Sequence, residues 1–505
     1  PWGFFIHHAN VFSIFLPPNS VLREVLSPIV DLSFKWEGRA YVGLPATLLA
    51  LSFLIIMTMH LFRRKRPRWK VYFPGKKLNL YLAASIIVLL FSMCIPFKWG
   101  LGFLTELLPP LKQFRCLGRF SWIFYYVFTV FTATYIYYVY RLIRRKGYRL
   151  QAFTALLIIL GFWGLEAMSR IQKSTSRIFN TNEVFKAEDL DMEAVLKESG
   201  KSAHEFQGIF FLPFANTSGD KLSFERGLDA FTEAMRCSNQ TGIPIIQSFS
   251  PRISLSQAMS SIQLLADSSI YKKRVDDMNQ KAILLLVGKQ ELNKREKDLL
   301  ERAELFWSGN RFSLARLPVQ SFNTGFEAWM ELADSLADSL QGSGTLCRGV
   351  DMEQLIYHDF EEFSSDRAFS GRASSYLKRG KMELFNEKLY ERFSDSELEL
   401  SFWLYVDHRT HNMPRPELSL LDKNGTILHK ERLNSREVHN TDGMWVRVAK
   451  NMVPEPGISY KLSIRGKYIS VDDLLVKPKG SRVLIRKENQ DLLLDNFRVP
   501  FVTEH

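Results

Sequence analysis

The chain has 505 residues, 46% hydrophobic and 24% charged, which excludes a largely disordered protein and leaves room for several domains. Its formal charge of +13 equals the number of Lys and Arg in two acid-free stretches, one from Arg63 to Lys77 and one from Arg141 to Arg149. A positive excess confined to two loops excludes a nucleic-acid footprint and reads as a membrane topology signal.

Taken in chain order, residues 1–40 form an external loop region, and 41–169 a transmembrane region. Four apolar runs lie at about 41–62, 78–97, 120–140 and 151–168, each about 20 residues, the length that crosses a bilayer. Both basic stretches fall between runs and belong on the cytoplasmic side. The fourth run then delivers the rest of the chain outside. This predicts a multi-pass inner (cytoplasmic) membrane protein with a large periplasmic, extracytoplasmic C-terminal region. The chain opens at Pro1 inside an aromatic stretch and without the shape of a signal peptide, as expected of the C-terminal part of a longer polytopic protein.

Two motifs lead into spans. One is Trp36-Glu37-Gly38-Arg39-Ala40-Tyr41-Val42-Gly43-Leu44, preceded by His7–Pro17; the other is Phe114-Arg115-Cys116-Leu117-Gly118-Arg119-Phe120-Ser121-Trp122. Together they resemble the later transmembrane region of bacterial integral-membrane glycosyltransferase-like proteins of the GT-C superfamily. The resemblance covers about the first 170 residues. It implies transfer of a sugar from a polyprenyl-phosphate carrier to a glycan or glycoconjugate acceptor, with the catalytic loop upstream of Pro1. No catalytic residue can therefore be named. Arg115 and Arg119, four apart, are expected on one face of a helix start, suited to a lipid phosphate. The alternative is that they reach headgroups or pair with Glu37 or Glu106. Glu37 and Arg39 are either acceptor-binding or a structural pair. Adjacent His7 and His8 read as structural.

Residues 185–348 alternate strand and helix signals, predicting an α/β domain with a mostly parallel sheet. The run 282–287 reads as a strand buried on both faces. Asn293 with Glu296 reads as a capping box opening a helix to about Phe306. Asn216, Ser218 and Asp220 lie in a polar loop after the first strand. No nucleotide cofactor motif is present, neither G-x-G-x-x-G nor P-loop. Cys237 and Cys347, outside by this topology, are candidates for a disulfide.

From 350 to 505 short alternating strands predict an all-β sandwich. Tyr357-His358-Asp359-Phe360-Glu361, Ser370-Gly371-Arg372-Ala373-Ser374-Ser375 and Val471-Asp472-Asp473-Leu474-Leu475-Val476 resemble a galactose-binding-like jelly roll of the carbohydrate-binding-module type, over nearly all of 350–476. The resemblance implies a structural calcium held by Asp359 or Glu361 together with Asp473, against a metal-free alternative with surface acids. Asp472 and Asp473, adjacent on a strand, are expected to point to opposite faces. Trp403, Tyr405 and Trp445 are either sugar-binding or core.

The fold class expected is therefore a transmembrane helical bundle, an α/β domain and an all-β jelly-roll sandwich. The function expected is the C-terminal portion of a membrane glycosyltransferase-like protein in cell-envelope glycan assembly. The alternative is a non-catalytic membrane-anchored carbohydrate-binding or assembly protein.

Overall fold

The computed structural model describes residues 3–16, 36–62, 75–108, 110–111, 114, 116–180, 190–218, 221–224, 226–247, 249, 253–340, 342–363, 365–410 and 412–500. It forms two compact units, Pro1–Glu183 and Val184–His505.

The first unit is helical: α1 (Leu44–Phe62), α2 (Lys76–Ser92), α3 (Ser121–Arg145) and α4 (Arg149–Asn180). Leu48, Leu54, Ile87, Leu157 and Leu165 point outward, so these helices carry apolar side chains on more than their packed faces. Among the described residues two stretches are long and apolar enough to cross a membrane, Leu117–Arg145 with 29 residues and Arg149–Ser169 with 21. The apolar stretch Leu44–His60 is shorter, and α2 has only 17 residues. Four spans were expected, and two candidates are found. The run at 78–97 is cut because Pro96 cannot continue a helix; α2 stops at Ser92 and Cys94 takes a φ of 64°. The basic stretch at 63–70 lies outside the described residues.

The second unit begins with β1 (Phe206–Leu212), a small hairpin of β2 (Asn216–Ser218) and β3 (Leu222–Phe224), α5 (Leu228–Thr241) and α6 (Leu255–Gln263). Then come β4 (Ala282–Gly288), α7 (Lys294–Leu300), β5 (Glu304–Ser308), β6 (Phe312–Leu317) and α8 (Phe326–Ala337). The sheet runs β1-β4-β6-β5. As the apolar run foretold, β4 is buried along nearly its whole length. The capping box also forms: Asn293 Oδ1 accepts from Glu296 N at 3.0 Å, and Asn293 N donates to Glu296 Oε2 at 2.8 Å.

The sheet is mixed rather than mostly parallel. Only β1 and β4 pair in parallel; β4, β6 and β5 pair antiparallel. The cause is local, because the helix after Asn293 ends at Leu300 and the stretch read as its last turn is β5. Three residues then separate β5 from β6, enough for a hairpin and far too few for a parallel crossover.

The all-β part follows: β7 (Gly344–Arg348), β8 (Ile356–His358), β9 (Ser375–Glu387), β10 (Leu398–Tyr405), β11 (Arg415–Leu421) and β12 (Ile427–Arg432). Next are β13 (Thr441–Asp442), β14 (Trp445–Met452), β15 (Ser459–Pro478), β16 (Arg482–Arg486), β17 (Leu492–Leu494) and β18 (Phe497–Val499). Eight strands share one sheet, ordered β12-β11-β15-β10-β14-β13, with β8 and β9 also on β15. A second sheet, β18-β17-β16-β7, has four strands. β7, at the end of the stretch 185–348, pairs with β16 of the all-β part.

Along β10 the side chains alternate. Leu398, Leu400, Phe402 and Leu404 enter a core shared with Phe214, Ile262 and Leu285 of the α/β part. Trp403 enters a second core with α8 and β16 to β18. Polar contacts reinforce the joint: Gln263 Nε2 donates to Thr441 O at 2.6 Å and Arg295 Nη1 to Asn440 Oδ1 at 2.9 Å.

His439 is the titratable centre of that joint. Its ring lies 4.5 Å from the Phe224 ring and 5.1 Å from that of Phe214, with Nδ1 3.2 Å from Ile262 O. Burial, with Arg295 nearby, lowers its pKa from 6.5 to about 3. Between those values the unfolded chain binds one more proton than the folded one, so stability falls as the pH drops below 6.5, by at most about 1.4 kcal/mol per pH unit. We expect His439→Asn to flatten the acid limb of a pH series of denaturant melts relative to the unmodified chain. Parallel limbs down to pH 5 would show that His439 does not carry this dependence.

Candidate functional site

In the helical unit the two motifs converge. Gly118 N donates to His7 O at 2.8 Å, and Ala9 N to Ser92 O at 2.9 Å. A Cβ on Gly118 would come within 2.8 Å of Gly38 Cα, so both glycines are required by the backbone contact. The short helix Val11–Phe15, capped by Asn10, is strapped to the same place by Ala40 N to Ser13 O and Val42 N to Ile14 O.

Glu37 pairs with His7, whose Nδ1 lies 3.3 Å from Glu37 Oε2, and not with Arg39. Arg39 is exposed, and its carbonyl accepts from Trp122 Nε1 at 3.2 Å. Lys98 Nζ contacts His8 Nε2. Arg119 is exposed on a 3₁₀ turn, Leu117–Phe120, that precedes α3. The helix start expected around it takes the form of this 3₁₀ turn, and the α-helix itself begins at Ser121. Arg115 lies outside the described residues. Glu166, within the fourth apolar run, accepts from Leu44 N at 2.9 Å and so satisfies one of the unpaired N–H groups at the start of α1.

In the second unit the acids of the expected calcium site do meet, but around an ammonium. Lys487 Nζ lies 2.8 Å from Asp473 Oδ1, 3.1 Å from Glu361 Oε1 and 3.2 Å from Ser370 O. Asp473 also accepts from Tyr357 OH and from Ser370 Oγ, both at 2.6 Å. Asp359 instead accepts from Glu361 N at 3.3 Å. Gly371, with φ 75°, leaves the space for the Glu361 carboxylate; a Cβ there would lie 1.6 Å from Oε1.

Asp472 and Asp473 do not take opposite faces. The register passes from Ser401↔Leu475 to Trp403↔Asp472, a bulge with Asp473 at φ 48°. Both carboxyls therefore turn toward residues 369–370, and Asp472 Oδ2 accepts from Phe369 N at 2.6 Å. Burial, and then the adjacent Asp473, push the Asp472 pKa up to about 9. Burial alone would lower that of Lys487, but Asp473 and Asp472 outweigh it and hold the ammonium charged. One buried cation already faces one buried carboxylate, and among the described residues no group of three or more His, Cys, Asp or Glu has the arrangement of a metal site. These residues do not fit a calcium ion.

Trp403 and Trp445 are core, not a sugar platform. Trp403 is fully buried, stacked on Phe369 at 3.9 Å, and its Nε1 donates to Asn496 O at 2.7 Å. Trp445 is 7% exposed. Phe369 and the C-terminal strands cover them, a contact over nearly a hundred residues that local spacing does not carry. Tyr405 is half-buried at the end of the same face. Asn216 is likewise buried, in β2 rather than in an open loop. No disulfide joins Cys237 and Cys347: both are free, Cys237 is on the buried face of α5, and Cys347 Sγ lies 3.4 Å from Met352 Sδ.

Beyond Trp403 this face stays open. Asp407, 2% exposed, receives Arg409 Nη2 and Arg367 Nη1, both at 2.6 Å. Arg367 lies 4.5 Å over the Tyr405 ring and Arg409 4.1 Å over the Tyr468 ring. Tyr376, 43% exposed, pairs across the sheet with Ser470. Burial pushes the Asp407 pKa up, but hydrogen bonds from Arg409 and Arg367 outweigh it and hold the carboxyl well below the usual range. The result is a fixed surface of tyrosine rings and forked N–H donors, able to stack on a ring and bind its oxygens. The sequence signal for it was Asp407-His408-Arg409 directly after a strand.

A family model described as a domain of unknown function, DUF6311, matches residues 1–166. No curated protein sequence matches the chain. Among solved structures, the CBM22-1 xylan-binding domain from Paenibacillus barcinonensis Xyn10C is 16% identical, covering 27% of this chain and 88% of that one, with a TM-score of 0.18. The enzymatically active domain of bacteriophage CBA120 tailspike protein 4 is 11% identical, covering 27% and 19%, with a TM-score of 0.16. The GH115 4-O-methyl-α-glucuronidase BtGH115A is 15% identical, covering 26% and 18%, also with a TM-score of 0.16.

The ammonium at the carboxylate cluster gives a direct test. Lys487→Met strands the Asp473 charge in the interior and is expected to cost about 3–5 kcal/mol. Thermal melts of the unmodified chain should not move on adding EDTA or calcium. A fall in melting temperature with EDTA would reinstate the metal.

Proposed function

We propose that this chain is a membrane-anchored glycan-binding or assembly protein of the cell envelope. The helices of Pro1–Glu183 hold it in the cytoplasmic membrane with the basic stretches inside. The all-β part lies on the other side and engages glycan at Tyr376, Tyr405 and Tyr468. The observation that carries this reading is Asp407, which orients Arg367 and Arg409 against two tyrosine rings. An ion pair needed only for stability has no reason to build a half-open aromatic surface around itself. The test is a panel of neutral and acidic oligosaccharides titrated against the full chain. Tyr376→Ala should weaken binding about fivefold, the loss of one stacking contact, and Arg409→Ala should weaken it further. A panel without a binder, or variants that bind as well as the parent, would sink the proposal.

A second reading is favoured by the convergence of Gly38 with Gly118 and of His7 with Glu37. In it the chain is the C-terminal portion of a GT-C-type glycosyltransferase-like protein, and Arg119, with Arg115, holds a polyprenyl-linked phosphate beside this cluster. Arg119→Ala in the full-length protein is expected to lower carrier affinity roughly tenfold, and Arg119→Lys to restore it only in part. Unchanged carrier binding in Arg119→Ala would reduce this arginine to a headgroup anchor.

A further inference from the structure

The open tyrosine face continues into a strip of positive charge. Three segments meet there: 376–382, 408–415 and 464–469. They hold seven Lys and Arg and no acid. Their registers place like charges directly opposite one another. Arg465 of β15 faces Arg415 of β11 on one side and Lys381 of β9 on the other, and Lys467 faces Arg379. All five are exposed. None of them, nor Lys378, forms an ion pair with a described carboxylate.

Opposed like charges on neighbouring strands destabilise a sheet. Lysines on an unpaired edge guard against aggregation, which accounts for Lys378, Arg379 and Lys381 on β9. It does not account for Arg465, which sits on the central strand between two other cations. The nearest carboxylates along the neighbouring strands, Glu417 and Glu383, face Ser463 and pair with Lys430 and Lys461 instead. Neighbouring strands are about 4.8 Å apart and alternate residues on one strand about 6.7 Å, so these cations project from closely spaced backbone positions. It ends at Tyr468, the ring under Arg409.

We infer that the glycan bound by this surface is polyanionic, carrying carboxylate or phosphate groups along its length, with Lys381, Arg379, Arg465, Lys467 and Arg415 binding the charges and the tyrosines binding the rings. This rests on the glycan-binding reading. A lipid headgroup layer would satisfy the cations, but it offers no sugar ring to stack on the exposed ring of Tyr376.

The test sets uniform-length oligogalacturonate, its methyl ester and phosphatidylglycerol-containing vesicles against the full chain. Oligogalacturonate should bind at least about tenfold tighter than the ester and weaken as salt rises. R379E/K381E/K467E should reduce it to the level of the ester while leaving ester binding unchanged. If that variant does not melt like the parent, R379Q/K381Q/K467Q is read the same way. Equal binding of acid and ester overturns the polyanion inference and leaves the glycan reading standing. Vesicle binding without oligosaccharide binding assigns the strip to lipid and overturns it. Binding of none of the three overturns both.

Discussion

The second unit depends on one strand. β15 runs for 20 residues, about four times an ordinary strand, and is paired on both edges over about half of that length. Its first part lies between β11 and β9, its second between β10 and either β9 or β8. No single partner is long enough to hold it. Four shorter strands share it, so their mutual positions are set through β15 and not by contact among themselves. That is why eight strands form one sheet.

A strand of that length cannot keep one regular alternation and still serve two cores. The bulge at Asp473 is where it changes. On one side of it Leu474 and Val476 feed the core shared with the α/β part, and Leu475 feeds the core under α8. The extra residue turns both carboxyls of the Asp472-Asp473 pair inward, and two adjacent buried acids need a remedy. Backbone N–H groups receive the first, and Lys487 receives the second. The same strand therefore dictates the cluster that looked, from its acids alone, like a calcium site. Near its middle β15 sets Ser470 opposite Tyr376 and places Tyr468 under Arg409, so the open surface is also its product.

What could be read from the sequence was what local chemistry decides. The apolar run of β4, the capping box at Asn293 and the short alternating strands after 350 all appear where their residues put them. What could not be read depended on partners far along the chain. Trp403 is core only because Phe369 and Asn496 cover it. Lys487 lies 126 residues from Glu361, and no motif ties them. β5 looked like the end of a helix until β6 folded back on it. The membrane motifs were legible as motifs, and their meeting at Gly38 and Gly118 was not, since two glycines fifty or more residues apart announce no contact.

The pairing of β7 with β16 has a consequence for how the unit is made. β7 precedes all the other strands of the all-β part, and its partner, β16, is among the last strands of that part. The core under α8 is completed by Val483, Leu493, Phe497 and Val499, so it has no far wall until those strands have emerged and folded. Folding of this region is closed from its tail: the strands that emerge first wait, with one apolar side uncovered, for those that emerge last. Contacts of such long reach make for slow folding and a lengthy interval of exposed surface, and loss of even the final two strands would open the interior of a region that begins 150 residues earlier.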